Sequence, residues 1–239
     1  MIIAGATDVG KKRKENQDCF RVCLLGDDGY LAVVCDGMGG ANGGKLASNT
    51  ASDAFVQAVR QKYGICDDPF DLLIYGAYKA NDAVYSLSRT DESLEGMGTT
   101  LAAVLVKDGR AFAVNVGDSR IYADNGEITQ VSRDHTLVQL LVDMGEMNLD
   151  EARISPDRHK ITRAVGVNED VRPDVFEIES DGFILICSDG LHGELSKDEL
   201  HSMMSGQTYG EIRKNLSSLI SLANRRGGND NITAIIIRR

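Results

Sequence analysis

Two aspartates stand at equivalent places in the sequence. Asp36 ends the apolar run in LAVVCDG, and Asp189 ends the apolar run in FILICSDG. Each carboxylate is therefore predicted at the mouth of a buried strand, where the glycine that follows lets the backbone turn sharply and approach a ligand. Asp230 lies in GGNDN just before the last apolar run, and Asp18 closes RKENQD near the N-terminus. These four aspartates are the first candidates for chemistry.

Carboxylates that a fold brings into contact need a counter-charge. Two like charges at contact distance repel by about 4 kcal/mol at an effective dielectric constant of about 20. A cation relieves that repulsion, and carboxylates together with a backbone carbonyl and waters are the hard oxygen ligands that suit magnesium, calcium or manganese. The four aspartates therefore predict a divalent-metal site, provided that the fold brings them together.

An Asp-Gly pair is also a common hairpin signal, and the chain contains five of them, at positions 28, 36, 108, 181 and 189. The pairs at 28, 108 and 181 lie between two strand-like runs and are predicted to be turns. The pairs at 36 and 189 are each followed by a loop that passes into a helical pattern. For either aspartate alone a turn or a helix cap remains open, whereas the two together favour a site.

Composition limits the partners. The 239 residues are 42% hydrophobic, which is enough for a substantial core. The net charge of −10, from 26 basic and 36 acidic residues, argues against nucleic acid or an anionic membrane as the main partner, because both attract positive surface. The longest basic run, KKRK at 11–14, is predicted to be a solvated loop, with a phosphate contact as the alternative.

The cysteines and the apolar segments suggest a compartment. The five cysteines are odd in number and include no CxxC pair, so we predict reduced core thiols in a cytosolic protein and no structural zinc site. No segment approaches the roughly 18 apolar residues that a membrane span needs, and the N-terminal apolar stretch is too short for a signal peptide. A cytoplasmic, non-membrane protein is expected, and a monomer.

The elements that must position the aspartates follow from the hydrophobic periodicity. Helices are predicted at 44–63, 69–89, 196–204 and 208–224. Strands are predicted at 2–7, 20–25, 30–35, 100–106, 110–116, 120–124, 127–131, 175–179, 182–187 and 232–238. Strands in hairpins with helices in pairs predict an α+β fold, a sandwich of two antiparallel sheets flanked by helix pairs, in one domain over 1–239. The charged segment 143–160 is predicted to be a surface flap, and it is called the flap segment below.

Six short motifs occur in a fixed order along the chain: RKENQD at 13–18, VCDGMGG at 34–40, GMGTT at 96–100, GDSR at 117–120, SDG at 188–190 and GGNDN at 227–231. In this order they resemble the metal-dependent serine/threonine protein phosphatases, the PPM or type 2C family, and in particular its compact bacterial members. Each motif alone is weak. Together they cover essentially the whole chain, from about residue 2 to residue 237.

The resemblance implies two divalent cations, manganese or magnesium. Asp36 matches the aspartate that bridges the two ions, and the carbonyl of Gly37 matches a further ligand. Asp189 and Asp230 match the ligands that complete one ion's shell. The implied reaction is hydrolysis of phosphoserine and phosphothreonine in proteins by a hydroxide that bridges the two metals, in opposition to a cognate serine/threonine kinase.

Three further residues acquire roles through the resemblance. Asp18 matches the aspartate that holds metal-bound waters. Arg13 matches the arginine that binds the substrate phosphate, with a loop salt bridge as the alternative. Asp118 matches a ligand to a third, weaker metal, with a turn-forming aspartate as the alternative.

The acid that protonates the leaving oxygen is left open. Met38 and Ala41 stand where relatives can have histidines. The hypothesis is a water on the third ion, held by Asp118. The competing candidate is His192, for which a surface loop position is the favoured interpretation, and His135 is predicted to be structural.

Two other functions are compatible with parts of the sequence. One is a catalytically weak regulator of the same fold that binds phosphoproteins, but the intact Asp36, Asp189 and Asp230 argue against it. The other is a nucleotide-binding module with GMGGANGG as its phosphate loop, but that loop lacks the lysine and hydroxyl of GxxxxGK[ST].

Overall fold

The computed structural model spans residues 1–239 and describes every side chain outside residues 40–42. Ala41 of the sequence analysis therefore lies outside the described side chains. The strands are β1 (Ile2–Asp8), β2 (Asp18–Leu25), β3 (Gly29–Met38), β4 (Gly98–Thr99), β5 (Leu101–Lys107), β6 (Arg110–Val116), β7 (Arg120–Asp124), β8 (Ile128–Gln130), β9 (Asp174–Ile178), β10 (Phe183–Cys187) and β11 (Ile232–Arg238).

The helices alternate with groups of strands rather than with single strands. They are α1 (Gly40–Lys62), α2 (Pro69–Ser88), α3 (Leu137–Asp143), α4 (Leu149–Ile154), α5 (Asp189–His192), α6 (Lys197–Met203) and α7 (Tyr209–Arg226), and Glu92–Leu94 forms a short 3-10 turn. A capping box begins α6, because the Ser196 side chain accepts from the Glu199 amide and the Glu199 carboxylate accepts from the Ser196 amide.

The strands form two antiparallel sheets that pack face to face. One sheet has the order β1-β11-β10-β7-β8, and the other has the order β2-β3-β5-β6-β9 with β4 paired to β3. Ala32 and Val34 point into the layer between the sheets, whereas Leu31, Val33 and Cys35 point to the layer under α1 and α2. Because β3 is buried on both faces, its sequence is a continuous apolar run rather than an alternating one.

Three apolar layers hold the sandwich together. The outer layers lie between one sheet and helices α1 and α2, and between the other sheet and helices α5, α6 and α7. The third lies between the sheets and includes Val104, Ile121, Ile186 and Ile235. This arrangement confirms the predicted sandwich of two antiparallel sheets with helices on both outer faces.

Several elements were not predicted. The sequence analysis missed α5, which is only four residues long, and β4, which is two residues long. The helix α3 was not predicted either, whereas α4 lies within the flap segment. Elements this short carry too few residues for a hydrophobic period to be recognised. None of the helices in the described part of the chain combines the length and the apolar character that a bilayer crossing requires.

The contact between α1 and α2 depends on a glycine. A Cβ on Gly76 of α2 would lie 2.8 Å from Val59 Cγ2 and 2.9 Å from Phe55 Cδ2, both in α1. We therefore expect Gly76→Ala to lower the free energy of unfolding by about 1–2 kcal/mol, because overpacking outweighs the gain in helix propensity. Gly210→Ala is the matched control in α7, where nothing lies within 4 Å of the added Cβ, and it should raise stability by about 0.5 kcal/mol. Urea denaturation measures both, and equal stability of the two variants would contradict the packing argument.

Candidate metal centre

The two sheets deliver carboxylates to the same end of the sandwich. In the antiparallel register of β2 and β3, Asp18 lies directly opposite Asp36. Residues in that relation have Cβ atoms about 4.5–5.5 Å apart and point to the same face. From the other sheet, Asp189 follows β10 at the start of α5, and Asp230 stands two residues before β11. The four aspartates singled out in the sequence are therefore brought together.

A pocket of about 950 Å³ opens at this end of the sandwich. Its walls include Asp36, Gly37, Asp118, Asp189 and Asp230. Asp18 is absent from the pocket lining and is only 6% exposed, so it supports the pocket from beneath. Of the seven residues that the sequence analysis proposed for the site, six line the pocket and the seventh underlies it; the sixth lining residue is Arg13.

The burial of several like charges dominates the electrostatics of the site. Burial raises the pKa of Asp36 well above its usual range, and the charges of Asp18, Asp189, Asp118 and Asp230 raise it further. Burial also raises the pKa of Asp18 to about 7, even though hydrogen bonds from its neighbours act in the opposite direction. Burial likewise raises the pKa of Asp118 to about 7, and the charges of Asp189 and Asp134 raise it further. The carboxylates are thus arranged for a positive charge between them.

Two carboxylate oxygens at the site have no hydrogen-bond donor. Oδ1 of Asp18 and Oδ1 of Asp189 are buried and unpartnered. An oxygen acceptor without a donor in a buried position is costly, unless a cation or an ordered water meets it. These two atoms, with the raised pKa of Asp36, show that the residues present fit divalent cations.

The geometry favours ions that retain water. Among the side chains that the structure describes, no three or more His, Cys, Asp or Glu residues lie close enough together to hold a metal ion by themselves. The aspartates instead surround an open pocket. Magnesium, and ions that behave like it, keep several waters and use few carboxylates, so an open acidic pocket suits them better than a site closed by protein ligands.

Hydrogen bonds from the backbone and from hydroxyls orient the two buried aspartates. Ser188 Oγ donates to Asp18 Oδ2 at 2.7 Å and accepts from the Thr233 amide at 3.0 Å. The Asp36 amide donates to Thr100 Oγ1 at 2.9 Å, and the Asp36 carbonyl accepts from the Thr100 amide and the Thr99 hydroxyl, both at 2.9 Å. Thr99 and Thr100 therefore position the backbone of Asp36.

Asn231 ties the N-terminal loop to the site, and the sequence analysis did not single it out. Its Oδ1 accepts from the Gln17 amide at 2.8 Å, and its Nδ2 donates to the carbonyls of Val9 and Glu15, both at 2.9 Å. The loop that carries Arg13 is thus held against the strand that follows Asp230. The available signal was the second asparagine of GGNDN, which is an unusual residue to find buried beside a core strand.

Arg13 lines the pocket and pairs with an aspartate from the other end of the sequence. Its Nη2 donates to Asp230 Oδ2 at 2.7 Å, and both side chains are partly exposed. The contact places a guanidinium at the edge of the carboxylate cluster. A planar donor fork in that position can bind two oxygens of a phosphate.

Two histidines hold the loop that carries Asp118. The Gly117 amide donates to His135 Nδ1 at 3.1 Å, and His192 Nε2 donates to the Asp118 carbonyl at 3.0 Å. Burial lowers the pKa of His192 to about 4, so this histidine is neutral near pH 7. His192 is therefore partly buried and engaged with the backbone, and its interpretation as a surface loop residue was wrong. His135 is structural, as predicted.

The flap segment also reaches the site. His159 Nδ1 lies 3.7 Å from Asp189 Oδ2, and both Arg158 and His159 line the pocket. Burial acts to raise the pKa of Asp189, but the nearby His159 and His192 outweigh it and hold that pKa below its usual value. The sequence analysis treated this segment only as a charged surface element, and no spacing rule connects residue 159 with residue 189.

Comparison with known proteins decides the family. Residues 9–220 match the family model described as protein phosphatase 2C. The chain belongs to the protein phosphatase 2C family. It is 34% identical to a putative protein phosphatase 2C-type of Streptococcus pyogenes, with 99% of this chain and 97% of that protein covered. It is 31% identical to protein phosphatase PhpP of Streptococcus pneumoniae, over the same shares of the two chains.

Solved structures agree with the family assignment. The serine/threonine phosphatase PstP/Ppp of Mycobacterium tuberculosis superposes with a TM-score of 0.86 at 33% identity, covering 98% of this chain and 96% of that one. The catalytic domain of PstP in complex with two manganese ions superposes with a TM-score of 0.82 at 32% identity, covering 98% and 96%. Protein phosphatase 2C enzymes use two manganese or magnesium ions, and the predicted family and fold are both confirmed.

Replacing Asp36 tests the centre without an activity assay. Excess manganese should raise the melting temperature of the wild type, since a ligand at 100 times its Kd adds about 2.7 kcal/mol of stability. In Asp36→Asn that increase should vanish, because an amide cannot offset two dications. The metal-free variant should be at least as stable as the metal-free wild type, because one repelling charge is gone.

The matched control is Asp108→Asn, which alters another Asp-Gly pair in the turn between β5 and β6. It should keep the full manganese response. Differential scanning fluorimetry and calorimetric titration give the measurement. Binding of two manganese ions by Asp36→Asn with wild-type affinity would disprove the bridging role.

Proposed function

We propose that this protein phosphatase 2C enzyme hydrolyses phosphoserine and phosphothreonine with two divalent cations held by Asp36, the Gly37 carbonyl, Asp189 and Asp230. The observation that carries the proposal is the convergence of four aspartates from two sheets, two of them with an unpartnered buried oxygen. Asp18, beneath the pocket, is proposed to hold waters of the centre. Asp118 is proposed to bind a third, weaker cation.

The cations supply a Lewis acid and a nucleophilic water at neutral pH when they are bound. The protein's own residues supply position. Thr99 and Thr100 hold the backbone of Asp36, and Ser188 holds the carboxylate of Asp18, so both residues are positioned before substrate arrives. Such preorganisation supports catalysis because no reorientation is needed during the reaction.

Arg13 is proposed to bind the substrate phosphate. In the structure its guanidinium is engaged with Asp230. If Asp230 held a cation, it would attract the guanidinium less, and Arg13 could then bind two phosphate oxygens as a fork. The same contact explains why the arginine is already oriented towards the pocket.

The alternative of a catalytically weak regulator of this fold has less support. That alternative requires the loss or displacement of a ligand. Asp36, Asp189 and Asp230 are all present and line one pocket. Turnover of p-nitrophenyl phosphate with added manganese, and its loss with a chelator, tests the proposed function directly.

We extend the proposal to the kinase partner, the compartment and the oligomeric state. A cognate serine/threonine kinase would generate the phosphoproteins that this enzyme hydrolyses. All five cysteines are unpaired, which supports a reducing compartment such as the cytoplasm. We also propose a monomeric enzyme, whose single catalytic domain spans 1–239 and whose flap segment, 143–160, influences the choice of phosphoprotein.

Arg13→Ala tests the phosphate contact. A charge-assisted contact contributes about 1.5–3 kcal/mol, so kcat/KM should fall about ten- to a hundredfold, with KM rising more than kcat falls. The manganese-induced rise in melting temperature should remain. Lys12→Ala, which removes the neighbouring cation of the same loop, should change kcat/KM little. An unchanged kcat/KM in Arg13→Ala would assign this arginine to a loop salt bridge only.

Asp118→Asn tests the source of the leaving-group proton. Nitrophenolate departs without a proton, whereas a serine or threonine alkoxide needs one. If the cation bound by Asp118 assists that protonation, the variant should lose far more kcat/KM on a phosphothreonine peptide than on p-nitrophenyl phosphate. Equal losses on both substrates would indicate a general defect of the site. Selective loss in His192→Ala with none in Asp118→Asn would transfer the role to that histidine.

A further inference from the structure

A second depression adjoins the metal centre. It has a volume of about 640 Å³, within the range of ligand pockets, and we call it the flap groove. Its two sides are formed by the helices of the flap region and by the segment from α5 to α6, and its floor is formed by β7 and β8. Residues that represent these three surfaces are Leu149, Arg153, Lys197, Leu200, Tyr122 and Gln130.

The flap groove is continuous with the catalytic pocket. Asp118, Asp189, Arg158 and His159 line both depressions. A polypeptide that places a phosphorylated side chain in the pocket must therefore send part of its flanking chain past the entrance of the groove. This continuity makes the substrate itself the natural occupant.

The flap groove carries an excess of positive charge, because its acidic residues have other partners. Of its three aspartates, Asp134 is already paired with Arg120 through Nη2 at 2.7 Å. The other two, Asp118 and Asp189, also line the pocket of the metal centre, where bound cations would offset their charge. The negative charges that line the groove are therefore all committed to other partners.

Three cations of the groove lack a comparable partner. Arg153 has only Asp150 at 3.6 Å, and their side chains are 75% and 94% exposed, so the pair is weak. Arg158 contacts the Ser155 carbonyl at 3.3 Å, and neither it nor Lys197 forms an ion pair within the described part of the chain. The protein has a net charge of −10, yet these three cations lie beside the pocket proposed to bind the substrate phosphate. They are therefore available to bind an anion.

The groove is also partly apolar. Leu149 of α4 is 60% exposed and forms part of its wall, and Ile154 at the end of the same helix is 82% exposed. Val138 and Leu200 contribute buried apolar surface to the lining. The flap segment, which was expected to be a charged surface flap, thus also carries exposed apolar side chains.

Resting on the proposed function, we propose that the flap groove binds the polypeptide on one side of the phosphorylated residue and selects an anionic side chain there. Lys197 and Arg153 both line the groove and are its specificity-determining residues. The anion is a carboxylate or a second phosphate, since both present oxygens to ammonium and guanidinium groups. The exposed apolar wall at Leu149 accepts a neighbouring apolar side chain of the same segment.

Phosphothreonine peptides with a neutral flank test this inference. A single glutamate is placed at successive positions on either side of the phosphothreonine, and a second set carries phosphoserine at the same positions. The wild type should prefer an anion on one side only, by about five- to tenfold in kcat/KM, which two partly exposed charge contacts can provide. A larger gain from phosphoserine identifies multiply phosphorylated segments, and an equal or larger gain from glutamate identifies acidic ones.

Substitutions in the groove test whether Lys197 and Arg153 cause the preference for a flanking anion. In Lys197→Gln combined with Arg153→Gln, the preference should fall below about twofold, while p-nitrophenyl phosphate, which has no flanking chain, should be hydrolysed as before. Lys214→Gln, an exposed lysine on the outer face of α7, is the matched control and should keep the preference. Fluorescence anisotropy of the same labelled peptides gives their affinities independently of turnover.

The outcomes separate the two proposals. A wild type without any preference for a flanking anion, or a preference that survives in the double variant or disappears equally in Lys214→Gln, overturns the flap groove proposal. A wild type that binds the anionic peptides through Lys197 and Arg153 but does not hydrolyse p-nitrophenyl phosphate with manganese supports the groove and contradicts the proposed function.

Discussion

Like-charge repulsion at one end of the sandwich is the constraint on which the rest of the structure depends. Five aspartates share one field there, and burial prevents water from screening it. The fold keeps them in place because three packed apolar layers and paired strands oppose the repulsion. A bound divalent cation would offset this repulsion, so that the same carboxylates would stabilise the folded protein. The metal-free and metal-loaded proteins should therefore differ in stability more than in shape.

Supporting contacts at the site come from residues distant in the sequence. Ser188 bonds Asp18, Thr100 bonds the backbone of Asp36, and Asn231 bonds the loop of Arg13. Each contact joins a residue of one segment to a segment elsewhere in the chain. The site is consequently rigid at its base, where these bonds lie. It is less constrained at its rim, where the flap segment contributes Arg158 and His159.

The sequence predicts the parts of this structure that depend on local pattern. The apolar runs before Asp36 and Asp189 predict strands, and the Asp-Gly pairs that pass into helices distinguish a site from a hairpin. The ordered motifs then predict the family. Ser188, Asn231 and His159 could not be found in this way, because their roles arise from tertiary contacts. The partly buried position of His192 was missed for a related reason: α5 is only four residues long, which is too short for a hydrophobic period to reveal which side faces the protein.

The position of β11 in its sheet has a consequence for biosynthesis. This strand follows all the others in the chain, yet it lies between β1 and β10, with Ile2 opposite Arg238. Until the ribosome has released it, β1 has no partner in its sheet, and Asp230 and Asn231 are not in place. Pairing across such a sequence separation is also slow to form. The metal centre of this phosphatase is therefore incomplete until β11 has been inserted between β1 and β10.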